Sequence, residues 1–152
     1  MKKTVVIILF LFTCLYGSAQ QERQNRIKSL KIAFITEKLA LTTAEAQRFW
    51  PIYNNYDDNT FRLKNVELKK IRNEILSRGI DNMSEQESKS VLDRIESIED
   101  GIYNERKRLV QRLLDVIPAK KIILLKKVED DFNRELLQRL RERRMQRFQN
   151  RN

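Results

Sequence analysis

The scarcity of helix-breaking residues most constrains how this chain can fold. After residue 19 the glycines are Gly79 and Gly101 and the prolines are Pro51 and Pro118, and stretches rich in Leu, Ile, Lys, Arg and Glu separate them. Such residues favour helix, and no segment alternates apolar and polar residues as a strand would. The sequence therefore predicts an all-α fold, with about four helices in an elongated antiparallel arrangement and two long helices at its centre.

Apolar residues recur every three or four positions in four segments, which predicts four helices. These span about residues 22–39, 43–77, 84–117 and 118–140. Pro51 falls inside the second segment, where it lacks a backbone N–H and crowds the preceding turn, so we expect a kink there or two helices that meet near Trp50. The helical domain is predicted over residues 20–140, and the basic residues 141–152 are expected to fray.

Two short motifs mark predicted helix starts. In the first motif, Leu41 and Thr42 are followed by Glu45, which lies three residues after Thr42. In the second motif, Glu87 lies three residues after Ser84. In such a capping box the hydroxyl accepts a hydrogen bond from the backbone N–H three residues on, while the carboxylate accepts one from the N–H of the hydroxyl residue. The motifs predict that helices begin directly after Thr42 and Ser84.

The first nineteen residues have the three-part layout of a secretory signal peptide. The chain starts with MKK, continues with an uncharged and mostly apolar run over residues 5–16, and then has the small residues Gly17, Ser18 and Ala19. That run of 12 residues is shorter than the roughly 20 that a helix needs to span a bilayer. We therefore expect cleavage near Ala19 and a periplasmic protein, which removes nucleic acid from the expected partners.

The residue inventory argues against an enzyme, a cofactor and a metal site. The chain has no histidine, and its single cysteine, Cys14, lies inside the predicted leader, where residues 11–13 are too large for the alternative of lipid attachment. Zinc, copper and nickel sites depend on His and Cys, and His is the commonest acid–base catalyst near neutral pH. No glycine-rich phosphate loop is present, and the acidic clusters lack the spacing of a calcium loop. We therefore expect no enzyme, no cofactor and no metal.

Two groups of residues are candidates for binding a partner. The first is aromatic and either fills the core or forms an exposed patch for unfolded apolar segments: Phe49, Trp50, Tyr53 and Tyr56. The second is basic and is either a solubilising end or a docking surface for an anionic membrane or an acidic protein: Arg139, Arg141, Arg143, Arg144 and Arg147. The net charge of +10 either favours an acidic partner or only keeps a helical surface soluble. The long apolar stripes make a homodimer a further candidate.

The chain resembles periplasmic helical proteins. Its capping boxes are similar to the LTxxQ motif of the Spy/CpxP family, with Glu in place of Gln and with Met83-Ser84 in place of Leu-Thr in the second copy. A closer resemblance is to small exported proteins of Bacteroidetes known as sensors of ECF-type sigma factors or periplasmic heavy-metal sensors. It rests on the segments IAFITEKL (32–39), LTTAEAQ (41–47), FWPIY (49–53), PAKK (118–121) and VEDDF (128–132).

This resemblance implies a non-enzymatic accessory role in envelope stress, in which the protein binds client or regulatory proteins as a chaperone or an adaptor. The alternative that it implies is a signalling modulator of an ECF sigma/anti-sigma or two-component system, with a membrane-bound regulatory protein as its partner. A metal-sensing role is disfavoured, because the mature chain would have neither His nor Cys.

Overall fold

The computed structural model describes residue 22 and residues 25–149, and most of these residues are helical. Helix α1 covers residues 25–38. The further elements are α2 (Thr43–Arg62), a π-helical turn (Leu63–Glu67), α3 (Leu68–Arg78), a 3₁₀ turn (Ile80–Asn82), α4 (Glu85–Leu113) and α5 (Ala119–Gln149). No strand occurs among the described residues, so the predicted all-α fold is confirmed. The predicted signal peptide, residues 1–19, lies outside the described residues.

Both predicted capping boxes are present. At the start of α2 the Glu45 N–H donates to Thr42 Oγ1 at 3.2 Å, and the Thr42 N–H donates to Glu45 Oε2 at 2.8 Å. At the start of α4 the Glu87 N–H donates to Ser84 Oγ at 3.3 Å, and the Ser84 N–H donates to Glu87 Oε2 at 2.9 Å. These bonds satisfy N–H groups that have no partner within the helix, so four neighbouring residues are enough to define each helix start.

The helix that contains Pro51 is unbroken. α2 continues past Trp50, so the predicted alternative of two helices meeting there is wrong. Pro51 cannot donate a hydrogen bond to the carbonyl of Gln47, but both residues are exposed, so water can replace that bond. The departure from regular α-helix comes instead at the π-helical turn Leu63–Glu67, which no pattern in the sequence indicates.

The described residues form two compact units. The α2–α4 unit, Leu41–Ile123, also contains the start of α5, and its buried apolar side chains are Phe49, Tyr53, Ile71, Val91, Leu109, Leu113, Ile117 and Ile122. The α1–α5 unit covers residues 25–40 and 124–149, and its buried side chains are Ile35, Leu39, Leu125, Val128 and Phe132.

Polar contacts hold the connection between α4 and α5 against the start of α2, within the α2–α4 unit. The Lys121 Nζ donates to both carboxylate oxygens of Glu45, at 3.1 and 2.8 Å. The Arg48 guanidinium donates to the backbone carbonyl of Asp115 at 2.8 Å. Glu45 therefore both caps α2 and pairs with the first turn of α5.

Helix α5 ends at Gln149, which is nine residues beyond the predicted helix end at Leu140. The added residues are mostly Arg, Glu, Met and Gln, which favour helix. Hydrogen bonds one turn apart, from Arg139 to Glu135 and from Gln138 to Glu142, support the helix just before and within this segment. Residues 141–149 are all exposed, and their fraying in solution stays a prediction.

Alanine substitutions at two glycines should have opposite effects on stability. Gly79 follows α3 with a φ of 77°, which strains any residue with a Cβ, so Gly79→Ala should lower the free energy of unfolding by about 1–2 kcal/mol. Inside α4, a Cβ on Gly101 would lie 3.4 Å from Leu63 Cδ1, so Gly101→Ala should raise that free energy by about 0.5–1 kcal/mol through helix propensity. Urea denaturation followed by circular dichroism measures both values. A greater loss of stability at Gly101 than at Gly79 would contradict this description of the backbone.

Candidate functional site

An open groove of about 440 Å³ lies between α1 and α5 within the α1–α5 unit, and we call it the arginine groove. Its lining consists of four aliphatic and five arginine side chains: Ile27, Leu30, Leu136 and Leu140, with Arg26, Arg139, Arg143, Arg144 and Arg147. On α5 these residues recur at intervals of three and four, which places them on one side of the helix. The groove therefore depends on both helices, since α1 supplies Arg26, Ile27 and Leu30.

The aliphatic side chains of the arginine groove are accessible. Ile27, Leu30 and Leu140 are exposed, and Leu136 is half-buried. Arginine stems are themselves apolar and can lie along such a surface while their guanidinium groups stay in water. A bound partner would therefore contact apolar surface and positively charged groups within the same groove.

The positive charge of the arginine groove is largely uncompensated. Arg139 pairs with Glu135, which lies one turn earlier on α5. Within residues 25–149, neither Arg26 nor Arg143, Arg144 or Arg147 forms an ion pair. Guanidinium groups present planar sets of N–H donors that match carboxylates in pairs of parallel hydrogen bonds. The groove is thus suited to carboxylates and other anions, and it is unsuited to metal cations.

A second opening of about 180 Å³ continues the arginine groove along the same two helices. The two openings share Leu30, Leu136 and Arg139 in their linings. In the second opening the Phe34 and Phe132 rings lie with their centroids 5.6 Å apart. From residue 132 to residue 147 of α5 the combined channel extends about 22 Å, at a rise of about 1.5 Å per residue.

The aromatic candidates belong to the α2–α4 unit, and none of them is part of the lining of the arginine groove. Phe49 and Tyr53 are buried and stack with centroids 5.4 Å apart, while Trp50 meets both rings edge-on, at 5.0 and 5.5 Å. Tyr56 is half-buried, and the Arg106 guanidinium lies 5.9 Å from its ring centroid. These rings fill a core, so Phe49 and Tyr53 offer no surface to a partner, and Trp50 and Tyr56 offer only part of theirs.

The basic candidates divide between two surfaces. Arg139, Arg143, Arg144 and Arg147 line the arginine groove, and the exposed Arg141 does not. The sequence gives no reason to select Arg26, Ile27 and Leu30 of α1, because only the pairing of α1 with α5 brings them to the site. The sequence pattern that involves these α1 residues is the apolar spacing, which places Ile27 and Leu30 on one helix face.

The described residues hold no arrangement suited to a metal ion or to a membrane span. Across residues 25–149, no three His, Cys, Asp or Glu side chains come together as metal ligands would. No described helix combines the length and the apolar character that crossing a bilayer requires. In a separate opening on the α2–α4 unit, Glu105 accepts hydrogen bonds from Arg108 at 2.6 Å and from Asn59 at 3.2 Å. That carboxylate is engaged in packing α2 against α4.

Comparison with protein families, with curated proteins and with solved structures gives no match to this chain. Its function therefore has to be inferred from the geometry and chemistry of the arginine groove.

The Glu45 ion pair should make the stability of the chain depend on pH. The hydrogen bond from Lys121, followed by that from the Thr42 N–H, lowers the pKa of Glu45 below its usual value of 4.5. A carboxyl whose pKa is lower in the folded state contributes stability above its unfolded pKa and loses it as pH falls through its folded pKa. Glu45→Gln keeps an amide oxygen for the cap but removes the charge. Its deficit in unfolding free energy should be full at pH 7 and should shrink below pH 4.5, as urea titrations at several pH values would show. A deficit that stays constant down to pH 2 would contradict the ion pair.

Proposed function

We propose that this chain is an exported, non-enzymatic accessory protein of envelope stress that binds client or regulatory proteins. The observation that carries this proposal is the arginine groove, in which four guanidinium groups without ion pairs in the described chain surround accessible aliphatic side chains. The export of the protein is supported by the leader pattern in residues 1–19. The resemblance to the Spy/CpxP family supports the accessory role.

The chemistry of the groove favours protein segments that are both acidic and apolar. Arginine side chains attract acidic chains over a distance and raise the rate of encounter, whereas apolar contacts slow dissociation. The second opening is lined in part by Glu37 and Glu135, so the surface suited to an acidic segment is the arginine groove itself. From residue 136 to residue 147 of α5 it extends about 17 Å, at about 1.5 Å per residue. That length accommodates about five residues of an extended chain, at about 3.3–3.6 Å per residue. Unfolded or partly folded clients expose such segments, because their apolar residues are not yet buried.

Removing two groove charges should weaken client binding. We expect the wild-type protein to suppress the aggregation of a denatured acidic client at stoichiometric concentration and moderate salt. Arg143→Gln/Arg147→Gln should require about three to ten times more protein for the same suppression, since exposed charge pairs contribute up to about 1 kcal/mol each. The matched control is Arg62→Gln/Arg72→Gln, which removes the same charge from exposed residues of α2 and α3. Light scattering by the aggregating client measures the suppression that each variant gives.

Two results would reject the client-binding proposal. One is an absence of suppression by the wild-type protein at stoichiometric concentration in both low and moderate salt. The other is an equal loss of suppression in the groove variant and in its matched control, because it would assign the effect to net charge alone. Circular dichroism of each variant establishes that the helices are retained.

The resemblance supports a second candidate function, in which the protein modulates one membrane-bound regulatory protein. A photo-crosslinking residue at position 147, placed in the groove, would separate the two functions in intact cells. Many partners that increase under folding stress indicate a chaperone, whereas one stoichiometric membrane partner indicates a signalling subunit.

A further inference from the structure

A second surface on α5 lies beside the arginine groove and has a different composition. Leu137, Arg141, Arg144 and Phe148 are separated by four, three and four residues, which places them along one line of the helix. Met145 lies at the edge of this line. We call these five residues the outer face of α5. Only Arg144 is shared with the groove lining.

The apolar residues of the outer face protrude into solvent. Leu137 is 55% exposed, Met145 is 62% exposed and Phe148 is 72% exposed. Over the 12 residues from Leu137 to Phe148, the face extends about 17 Å along the helix at 1.5 Å per residue. These three side chains lie within about three turns of one helix and form a shared apolar patch, and exposed apolar patches mark interaction surfaces.

The outer face is also cationic. Arg141 and Arg144 form no ion pair among the described residues. The acidic residue in this part of α5, Glu142, is turned about 100° from Arg141 around the helix and accepts a hydrogen bond from Gln138 at 3.0 Å. Gln146 and Gln149 share that polar side of the helix. The end of α5 therefore has an apolar and arginine-rich side and, away from it, an uncharged or acidic side.

We propose that the outer face of α5 docks on an anionic phospholipid surface. Phe148, Met145 and Leu137 insert among the lipids at the headgroup boundary, and Arg141 and Arg144 pair with the phosphate groups. A lipid surface deforms around protruding side chains, whereas an acidic protein would have to supply a matching pocket. A second copy of this chain fits less well, because a symmetric contact would bring the arginines of both copies together.

This docking is a surface contact, since no described helix is suited to span a bilayer. One short amphipathic face gives reversible binding that depends on anionic lipid and weakens as salt screens the charges. The proposal does not depend on client binding in the groove, since Leu137, Arg141, Met145 and Phe148 do not line the groove.

Co-sedimentation with vesicles tests the proposal on the full chain. One set of vesicles contains phosphatidylglycerol and phosphatidylcholine, and the other contains phosphatidylcholine alone. We expect at least about tenfold tighter binding to the anionic set, because each arginine near such a surface strengthens binding several-fold. Wild type and every variant carry the same predicted leader, residues 1–19, so a difference between them reports on the substituted residues.

The variants separate apolar insertion from charge. Met145→Gln/Phe148→Gln should weaken binding to anionic vesicles by about fivefold or more, and Arg141→Gln should weaken it by about fivefold. The matched controls are Leu76→Gln, at a residue that is 73% exposed on α3, and Arg72→Gln, and both should stay within about twofold of wild type. Met145→Gln/Phe148→Gln should also leave the suppression of client aggregation unchanged, which separates this test from that of the groove.

Three outcomes would overturn the proposal. The first is equal binding of the wild-type protein to both vesicle types, or none to either. The second is an equal loss in the outer-face variants and their controls. The third is that the wild-type protein does not bind vesicles but binds polyglutamate, or forms a dimer, and that Met145→Gln/Phe148→Gln abolishes this complex. Light scattering on a sizing column detects the dimer, and circular dichroism establishes that each variant is folded.

Discussion

The pairing of α1 with α5 is the contact on which the proposed binding surface depends. Phe34 and Phe132 meet across the two helices, and Ile35 and Val128 are buried in the same unit. Burial of such side chains contributes about 25 cal/mol per Å² of apolar surface removed from water. This gain must offset the repulsion between Arg26 and the arginines of α5, which line one groove. Without the apolar contacts, that electrostatic repulsion would favour separation of α1 from the end of α5.

The distribution of ion pairs along α5 explains where its free charge lies. Between residues 126 and 139 the basic side chains pair with acids three or four positions away, as Lys126 does with Asp130 and Lys127 with Asp131. The hydrogen bond from Lys127 also lowers the pKa of Asp131 below its usual value. Beyond Glu135 the acids become scarce while the arginines continue. The arginines of α5 without ion pairs, in the groove and on the outer face alike, lie beyond Arg139, where ion pairing within the described helix stops.

Local chemistry predicts much of the fold but little of the site. The scarcity of glycine and proline predicts the all-α fold, and Thr42 with Glu45 predicts a helix start, because those effects act within a few residues. No local pattern indicates the π-helical turn at Leu63–Glu67, where the Leu63 side chain lies against Gly101 of α4. Nor does one indicate that the helix continues through Pro51, where water can replace the missing hydrogen bond. The groove brings Ile27 close to Leu140, more than one hundred residues along the chain. The sequence predicts the arginines but not the partners that α1 supplies.

Mapping of a bound client by nuclear magnetic resonance tests the central claim most directly. In a titration of isotope-labelled protein with an unfolded acidic client, backbone and arginine Nε–Hε signals report each contact separately. We expect shifts concentrated in α1 near Ile27 and Leu30 and in α5 over residues 136–147, with α2 and α3 unchanged. Shifts centred on Trp50 and Tyr56, or spread evenly over all basic residues, would contradict the central claim.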